Sequence, residues 1–215
     1  LYGGLSAAAF PALDALLTTG RAMRVFGSSR PAASSEHTVA HLWEVALEEG
    51  DTHFYHGLLV AEAAGHVIRA YRWVLDRLAD DAALAGALPA NTIAERERGW
   101  AERVPEDMKP FLDKMQEESA GRHVDPAVVT ARRERIRAHR DAIIALADQT
   151  LRDSERGLDT LRGAGLGRYL PEVDGHWVGR GLQWVKYLRN RYSMFDVAFE
   201  MGWEDELLEY MNATG

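Results

Sequence analysis

The fold class is indicated most clearly by residues 55–79, which read YHGLLVAEAAGHVIRAYRWVLDRLA. This stretch is rich in alanine and leucine, so it predicts a long helix, and its apolar content predicts that the helix is buried. The segments on both sides also follow a helical period of about 3.6 residues, and none shows the alternation typical of a strand. The sequence therefore predicts an all-α, multi-helix bundle in which residues 1–215 form a single helical domain.

Further helices are predicted on both sides of this stretch. They cover about 6–26, 35–49, 91–103, 125–156, 175–190, 193–201 and 203–212. Ser34 or Ser35 can cap the second helix because a serine hydroxyl accepts an orphan amide. Asn91 can do the same for a later helix, and Asp125-Pro126 places proline in a first turn, where it is tolerated. The loop at 163–171, GAGLGRYLP, lacks the preceding strand that a nucleotide-binding glycine loop requires.

Composition excludes several classes of function. The chain has 47% apolar residues, which is ordinary for a globular protein, and a net charge of −8, which disfavours binding to nucleic acid or to an anionic membrane. It has no cysteine, so thiolate metal sites and cysteine catalysis are excluded. The arginine run at 132–140, RRERIRAHR, has the spacing of a solvated helix face. With no apolar stretch of about 18 residues and no signal-like segment, we expect a cytosolic protein.

Four of the eight histidines lie between residues 37 and 56. A separation of four residues places His37 and His41 on one face of a helix, where two imidazoles can serve one pocket. The same spacing also fits one packed and one exposed histidine. His56 begins the next predicted helix, so it can reach the first pair only if the loop at 50–57, GDTHFYHG, folds back. The sequence therefore suggests a metal site without establishing one.

Two segments carry a family resemblance. Residues 26–45, FGSSRPAASSEHTVAHLWEV, followed by His56-Gly57, resemble the metal-binding region of sn-glycerol-1-phosphate dehydrogenases, within the group of iron-type alcohol dehydrogenases, glycerol dehydrogenases and dehydroquinate synthases. Residues 187–202, YLRNRYSMFDVAFEMG, resemble a closing helix motif of the same enzymes. Because the two matches occur in the same order and far apart, the chain resembles the C-terminal helical half of this family.

The resemblance implies a set of site residues. In the family, two histidines from the helical half and an aspartate from the nucleotide-binding half hold a divalent metal, for which zinc is favoured and nickel or iron are alternatives. His37 and His56 match the two metal-binding histidines. His41 matches a neighbouring histidine that orients substrate or relays a proton, which is a catalytic role. Arg30 could bind the phosphate of a phosphorylated polyol substrate, since a guanidinium pairs well with an oxyanion.

The same resemblance sets expectations about the rest of the protein. We expect the nucleotide-binding domain, which would bind NAD(P) and supply the metal aspartate, to be absent from this chain. The partners expected are then a small phosphorylated polyol and either a nucleotide-binding half or further copies of the chain. HGLLV at 56–60 departs from the usual HGEKV. Two alternatives stay open: half of a dehydroquinate-synthase-like cyclase, because HTVAH resembles a segment of those enzymes, and a non-catalytic helical assembly or partner domain.

Overall fold

The computed structural model describes residues 17–28, 34–47, 54–122 and 124–214. Within these ranges the regular structure is helical and contains no strand, so the predicted all-α fold is confirmed. Arg30, His53 and the part of the first predicted helix before residue 17 lie outside the described residues. None of the helices described is long and apolar enough to cross a membrane.

The elements follow one another with short connections. The α-helices are α1 (17–26), α2 (Ser35–Leu47), α3 (His56–Ala79), α4 (Asp81–Ala85), α5 (Ala90–Arg98), α6 (Leu112–Ser119), α7 (Pro126–Ala138), α8 (Arg140–Gly163), α9 (Gly175–Leu188), α10 (Met194–Met201) and α11 (Glu204–Thr214). Short 3-10 turns occupy Ala101–Arg103, Glu106–Phe111 and Leu166–Tyr169.

Helix α3 is the central element, as its sequence predicts. It packs against α2, α8, α10 and α11. Its side chains Leu59, Val74 and Leu78 are fully buried. Each contributes about 1.5–3 kcal/mol to folding through the apolar surface that it removes from water. The helix therefore positions its first residue, His56, on a well-anchored scaffold.

Helix α2 is held in place by α3 and α9. Trp43 is fully buried, and its indole nitrogen donates to the Trp177 carbonyl at 2.9 Å. On α9, Gly181 faces α2 so closely that an added Cβ would lie 2.8 Å from a methyl group of Val39. Because both contacts fix the buried side of α2, its opposite side is presented in a defined orientation.

The helix predicted over 125–156 is wrong in one respect, because it is two helices. Helix α7 ends at Ala138 and α8 begins at Arg140, with His139 between them at φ −116° and ψ 14°. The two helices pack on different partners, α7 on α5 and α10, and α8 on α3. No proline or glycine lies at this position to reveal the break. The change of packing partner along the chain accounts for it.

Two further boundaries differ from the sequence prediction. Helix α5 begins at Ala90 with Pro89 as its N-cap, so Asn91 lies inside the helix and does not cap it. The helix also ends at Arg98, and residues up to Arg103 continue only as a 3-10 turn. The cap at Asp125 is confirmed, because its carboxylate accepts from the Ala127 amide at 2.6 Å.

Helix α10 joins the main core to a smaller one. Ile93, Val129 and Phe199 form this second cluster between α5, α7 and α10. The guanidinium of Arg133 donates to the Glu200 carbonyl at 2.8 Å and ties α7 to the same helix. The segment that resembles a closing helix motif is thus anchored from several sides.

Candidate metal centre

The exposed side of α2 carries three polar side chains that could bind a cation. His37, His41 and Glu44 lie at helical spacings of four and three residues, so they share one face. The other side of α2 is buried through residues such as Leu42 and Trp43. The burial of one side of the helix therefore turns these polar groups outward as a set.

The start of α3 brings a third imidazole to this face. The ring of His56 stacks on that of His41, with centroids 4.8 Å apart and planes 26° from parallel. The His37 ring is tilted against it, with centroids 5.5 Å apart. The start of α3 therefore lies beside the face of α2 that carries His37 and His41, and His56 contacts both rings.

Glu44 links two of these imidazoles. Its Oε2 atom lies 2.7 Å from Nδ1 of His41, and its Oε1 atom lies 2.5 Å from Nδ1 of His56. An ionised carboxylate can only accept hydrogen bonds, so each Nδ1 carries the proton in these contacts. In a neutral imidazole this leaves the Nε2 lone pair available to a metal, an arrangement common in metal sites.

The charge of Glu44 is favoured by its neighbours. Burial raises the pKa of the Glu44 carboxyl, but the hydrogen bonds from His56 and His41 outweigh that effect and hold the pKa below its ordinary value. The carboxylate therefore stays ionised near neutral pH. It adds the negative charge that a divalent cation requires among otherwise neutral ligands.

The donor set fits a zinc-class ion. Ligand atoms of His41, Glu44 and His56 all lie within 4.8 Å of one another. Imidazole and carboxylate donors suit zinc, which binds them at about 2.0–2.2 Å. His37 is outside this closest group, since its Nδ1 lies 3.2 Å from Glu36 Oε1, although its ring remains beside His56. The sequence-predicted pair, His37 and His56, therefore stays a prediction.

Glu44 was missed in the sequence, although a signal was present. It follows His41 by three residues and His37 by seven, so all three fall on one helical face. The contact between Glu44 and His56 spans twelve residues of sequence. It depends on the course of the connection between the helices, which spacing alone does not give.

The cluster is open on its outer side. The side chains of His41 and His56 retain 48% and 44% of their exposure. Val45 and Tyr55, next to the cluster in sequence, are also exposed large apolar residues. A Cβ added at Gly57 would meet nothing within 4 Å among the described residues. A substrate or another polypeptide can therefore approach the imidazoles from this side.

Comparison with curated proteins finds relatives that are named glycerol-1-phosphate dehydrogenase. Glycerol-1-phosphate dehydrogenase [NAD(P)+] of Pyrobaculum islandicum is 49% identical over 59 residues, which cover 27% of this chain and 17% of that protein. Its counterpart from Halalkalibacterium halodurans is 40% identical over 60 residues, 27% of this chain and 15% of the relative. The protein of the same name from Pyrobaculum aerophilum is 47% identical over 59 residues, with 27% and 17% covered. A segment of this chain is similar to the glycerol-1-phosphate dehydrogenases.

The relationship to the glycerol-1-phosphate dehydrogenases covers a short segment. The match spans about a sixth of the relatives' length. The names of the relatives support an oxidoreductase role at the level of the family, and the activity of this chain is a question for experiment. No protein-family profile matches the chain, and no solved structure gives a significant match. Likeness of the fold to the C-terminal domain of iron-type alcohol dehydrogenases therefore stays a prediction.

The departure at HGLLV has a structural explanation in part. Leu59 is fully buried in the main core. A lysine at that position would place its charge among apolar side chains in this packing, which costs free energy unless the charge is paired. Where the HGEKV pattern of glycerol-1-phosphate dehydrogenases has lysine, this chain has Leu59, whose burial anchors α3 in the core.

Proposed function

We propose that this chain is the helical, metal-binding, substrate-side half of an NAD(P)-linked oxidoreductase related to glycerol-1-phosphate dehydrogenase. The observation that carries the proposal is the cluster in which His56 at the start of α3 lies beside the rings of His37 and His41, with Glu44 contacting His41 and His56. The names of the curated relatives favour the dehydrogenase over a cyclase of the dehydroquinate synthase type. The substrate class is a phosphorylated polyol or the corresponding ketone.

Each residue of the cluster has a proposed role. His37 and His56 hold a divalent metal, with zinc favoured and nickel or iron as alternatives, and Glu44 fixes the ring of His56 through Nδ1. Such an ion supplies Lewis-acid polarisation of the substrate hydroxyl. His41, exposed and oriented by Glu44, accepts the hydroxyl proton at Nε2. Arg30, which lies outside the described residues, binds the substrate phosphate.

Hydride transfer also requires a positioned nicotinamide. The protein's part in such a reaction is to hold the reactive carbon of the cofactor against the substrate. The described residues contain no strand, and hence no βαβ nucleotide-binding unit. We propose that NAD(P) is held by a separate nucleotide-binding domain that faces the open side of the histidine cluster.

A second candidate function is a non-catalytic partner domain. The exposure of Val45 and Tyr55, which adjoin Glu44 and His56 in sequence, favours it, because exposed apolar side chains can contact another polypeptide. Under this alternative the imidazoles would hold a structural ion or none. Two measurements distinguish the functions. The enzyme half requires zinc binding that depends on the cluster and activity in the assembled enzyme, whereas the partner domain requires no activity.

Zinc binding to the 215-residue chain tests the metal centre directly. We expect one zinc site by calorimetry, abolished in the double variant His37→Ala/His56→Ala and weakened in His41→Ala. His176→Ala is the matched control. His176 is also an exposed histidine paired with a carboxylate, since its Nε2 lies 2.6 Å from Asp107 Oδ2, and it is not part of the cluster. Zinc affinity unchanged in the double variant would refute the proposed ligands.

A further inference from the structure

A cavity of about 640 Å³ lies between α2, α3, α7, α8, α9 and α10. Volumes of this size are typical of small-molecule sites. Apolar side chains from five of these helices form much of its wall: Leu78, Ile136, Ile143, Val185 and Val197. The apolar part of the cavity suits a hydrocarbon chain, because burying such a chain removes its surface from water.

One side of the cavity is lined with hydroxyl groups. They belong to Ser34, Ser35, Thr38, Tyr71 and Ser193. The oxygens of Ser35 and Tyr71 are 2.7 Å apart and hydrogen-bonded. Burial raises the pKa of Tyr71 to about 12, so its hydroxyl keeps its proton and stays neutral at physiological pH. Three of these hydroxyls already donate within the chain: Ser34 to the Glu36 carboxylate, Thr38 to the Ser34 carbonyl and Ser193 to the Asp196 carboxylate. The hydroxyl groups therefore make this side of the cavity polar without adding charge.

Two arginines complete the lining. Arg189 and Arg191 lie in the connection between α9 and α10, and both are half-buried. No aspartate or glutamate is among the described residues that line the cavity. Arg189 and Arg191 are therefore the charged side chains among these lining residues. The lining therefore matches an anionic group, to which guanidinium donors bind strongly.

The cavity is distinct from the metal centre. Successive helical residues rotate by about 100°, so Ser35 and Thr38 lie roughly a third of a turn around α2 from the side that carries His37 and His41. Ser35 and Thr38 are buried, whereas His41 is exposed. A ligand in the cavity would thus lie on a different side of the same helix.

We infer that this cavity binds an amphipathic anion, with a carboxylate or similar acidic head bound by Arg189, near Arg191, and a hydrocarbon chain along the apolar wall. The division of the lining into apolar and basic parts carries the inference. It goes beyond the proposed function and does not depend on it, because none of the cavity residues belongs to the histidine cluster.

Calorimetry on the 215-residue chain tests the ligand class with three probes. We expect saturable binding of octanoate at one site. Octanol, which lacks the charge, and acetate, which lacks the chain, should each bind about tenfold more weakly or worse. Equal binding of octanoate and octanol would overturn the role of the arginines. No saturable binding of octanoate would overturn the site itself.

Two matched pairs of variants locate the binding. Ile143→Trp should fill the cavity and abolish octanoate binding, whereas Leu146→Trp, on the same helix at a position 72% exposed, should not. Arg189→Gln should weaken binding about tenfold, whereas Arg162→Gln on the exposed end of α8 should not. If Ile143→Trp retains full binding, octanoate binds elsewhere and the inference fails. His37→Ala/His56→Ala should leave octanoate binding unchanged, even if it removes the zinc site.

Discussion

At the scale of single residues, Glu44 has the largest effect on the candidate centre. It contacts both His41 and His56 through different oxygens, so it can hold two rings in one orientation. Sequence spacing identified the histidines, because helical periodicity brings i and i+4 together. Spacing could not show that Glu44 reaches His56, because the two residues lie on different helices and their contact depends on how α2 and α3 pack.

Replacing Glu44 with glutamine should weaken zinc binding about 10–100-fold, because a group that orients metal-binding histidines is removed while their nitrogens remain. Calorimetry with zinc gives the measurement. Glu62→Gln is the control, since Glu62 also faces a histidine, with 3.3 Å to His66, but lies apart from the cluster. Equal affinities for the two variants would show that Glu44 has no part in the site.

A second residue-scale feature is the buried ion pair between Lys186 and Glu97. Their side chains are 2% and 8% exposed, and Lys186 Nζ lies 3.2 Å from Glu97 Oε2. The Tyr187 hydroxyl donates to the same oxygen at 2.9 Å. Neither charge can be solvated here, so each depends on the other groups of the network.

Lys186→Met should destabilise the protein by about 3–5 kcal/mol, because it leaves the Glu97 carboxylate buried without its counter-charge. Urea unfolding measures the loss. The double variant Lys186→Met/Glu97→Gln should recover part of it, since the side chain at position 97 then carries no charge. Lys114→Met, at an exposed pair with Glu117, should cost less than about 1 kcal/mol. A single variant as stable as the parent would contradict the importance of the pair.

The same lysine gives a pH dependence. Burial lowers the pKa of Lys186 to about 8 from 10.5, although Glu204 and Glu97 attract its charge. Between about pH 8 and pH 10 the unfolded chain therefore holds more protons than the folded one, and the free energy of unfolding contributed by Lys186 rises with pH. The stability difference between the parent and Lys186→Met should increase across this window. A difference independent of pH would show that Lys186 titrates normally.

At the scale of elements, α2 and α9 approach closely at Gly181, where an added Cβ would lie 2.8 Å from Val39. Trp43 reaches α9 as well, through its bond to the Trp177 carbonyl. The sequence predicts both helices, because apolar residues repeat with a helical period. It does not predict which helices touch, so the need for a glycine at 181 becomes visible only in the packing.

Gly181→Ala should destabilise the fold by about 1–3 kcal/mol, because the new methyl group would overlap Val39 and press α2 away from α9. Thermal or urea unfolding provides the readout. Gly179→Ala lies on the same helix and meets nothing closer than 3.9 Å, so it should be neutral or slightly stabilising. Identical stability of the two variants would show that α2 adjusts without cost.

Element boundaries illustrate the limit of the sequence. The bounds of α3 and the start of α9 agree with their predicted ranges within one residue. The break at His139 was not foreseen, because the local sequence is compatible with one continuous helix and the cause lies in the different partners of α7 and α8. The cavity likewise draws residues from six helices. Features set by long-range packing therefore escaped prediction, whereas those set by local periodicity did not.

At the scale of the whole molecule, the described residues form a helical body with the histidine cluster at an open side. Curated relatives share a short segment with this chain, about a sixth of their own length. The expectation of a separate nucleotide-binding half, or of self-association, therefore stays a prediction.

The isolated chain should form no NAD(P)H from glycerol-1-phosphate, even with zinc added, because the described residues offer no nucleotide-binding unit to position the nicotinamide. An absorbance assay for reduced nicotinamide tests this, with a complete glycerol-1-phosphate dehydrogenase as the positive control. Metal-dependent turnover by the purified chain, lost in His56→Ala, would contradict the proposed division between two halves.

The histidine cluster is local in sequence, since its donors come from the adjacent helices α2 and α3. During synthesis these residues leave the ribosome long before α9 and α10, which help to enclose the cavity. A nascent pair of helices is marginally stable by itself, because most helical stability comes from tertiary packing. A metal ion bound by residues of both helices would add its binding free energy to the free energy of folding. Metal supply could thus influence how early this region becomes ordered on the ribosome.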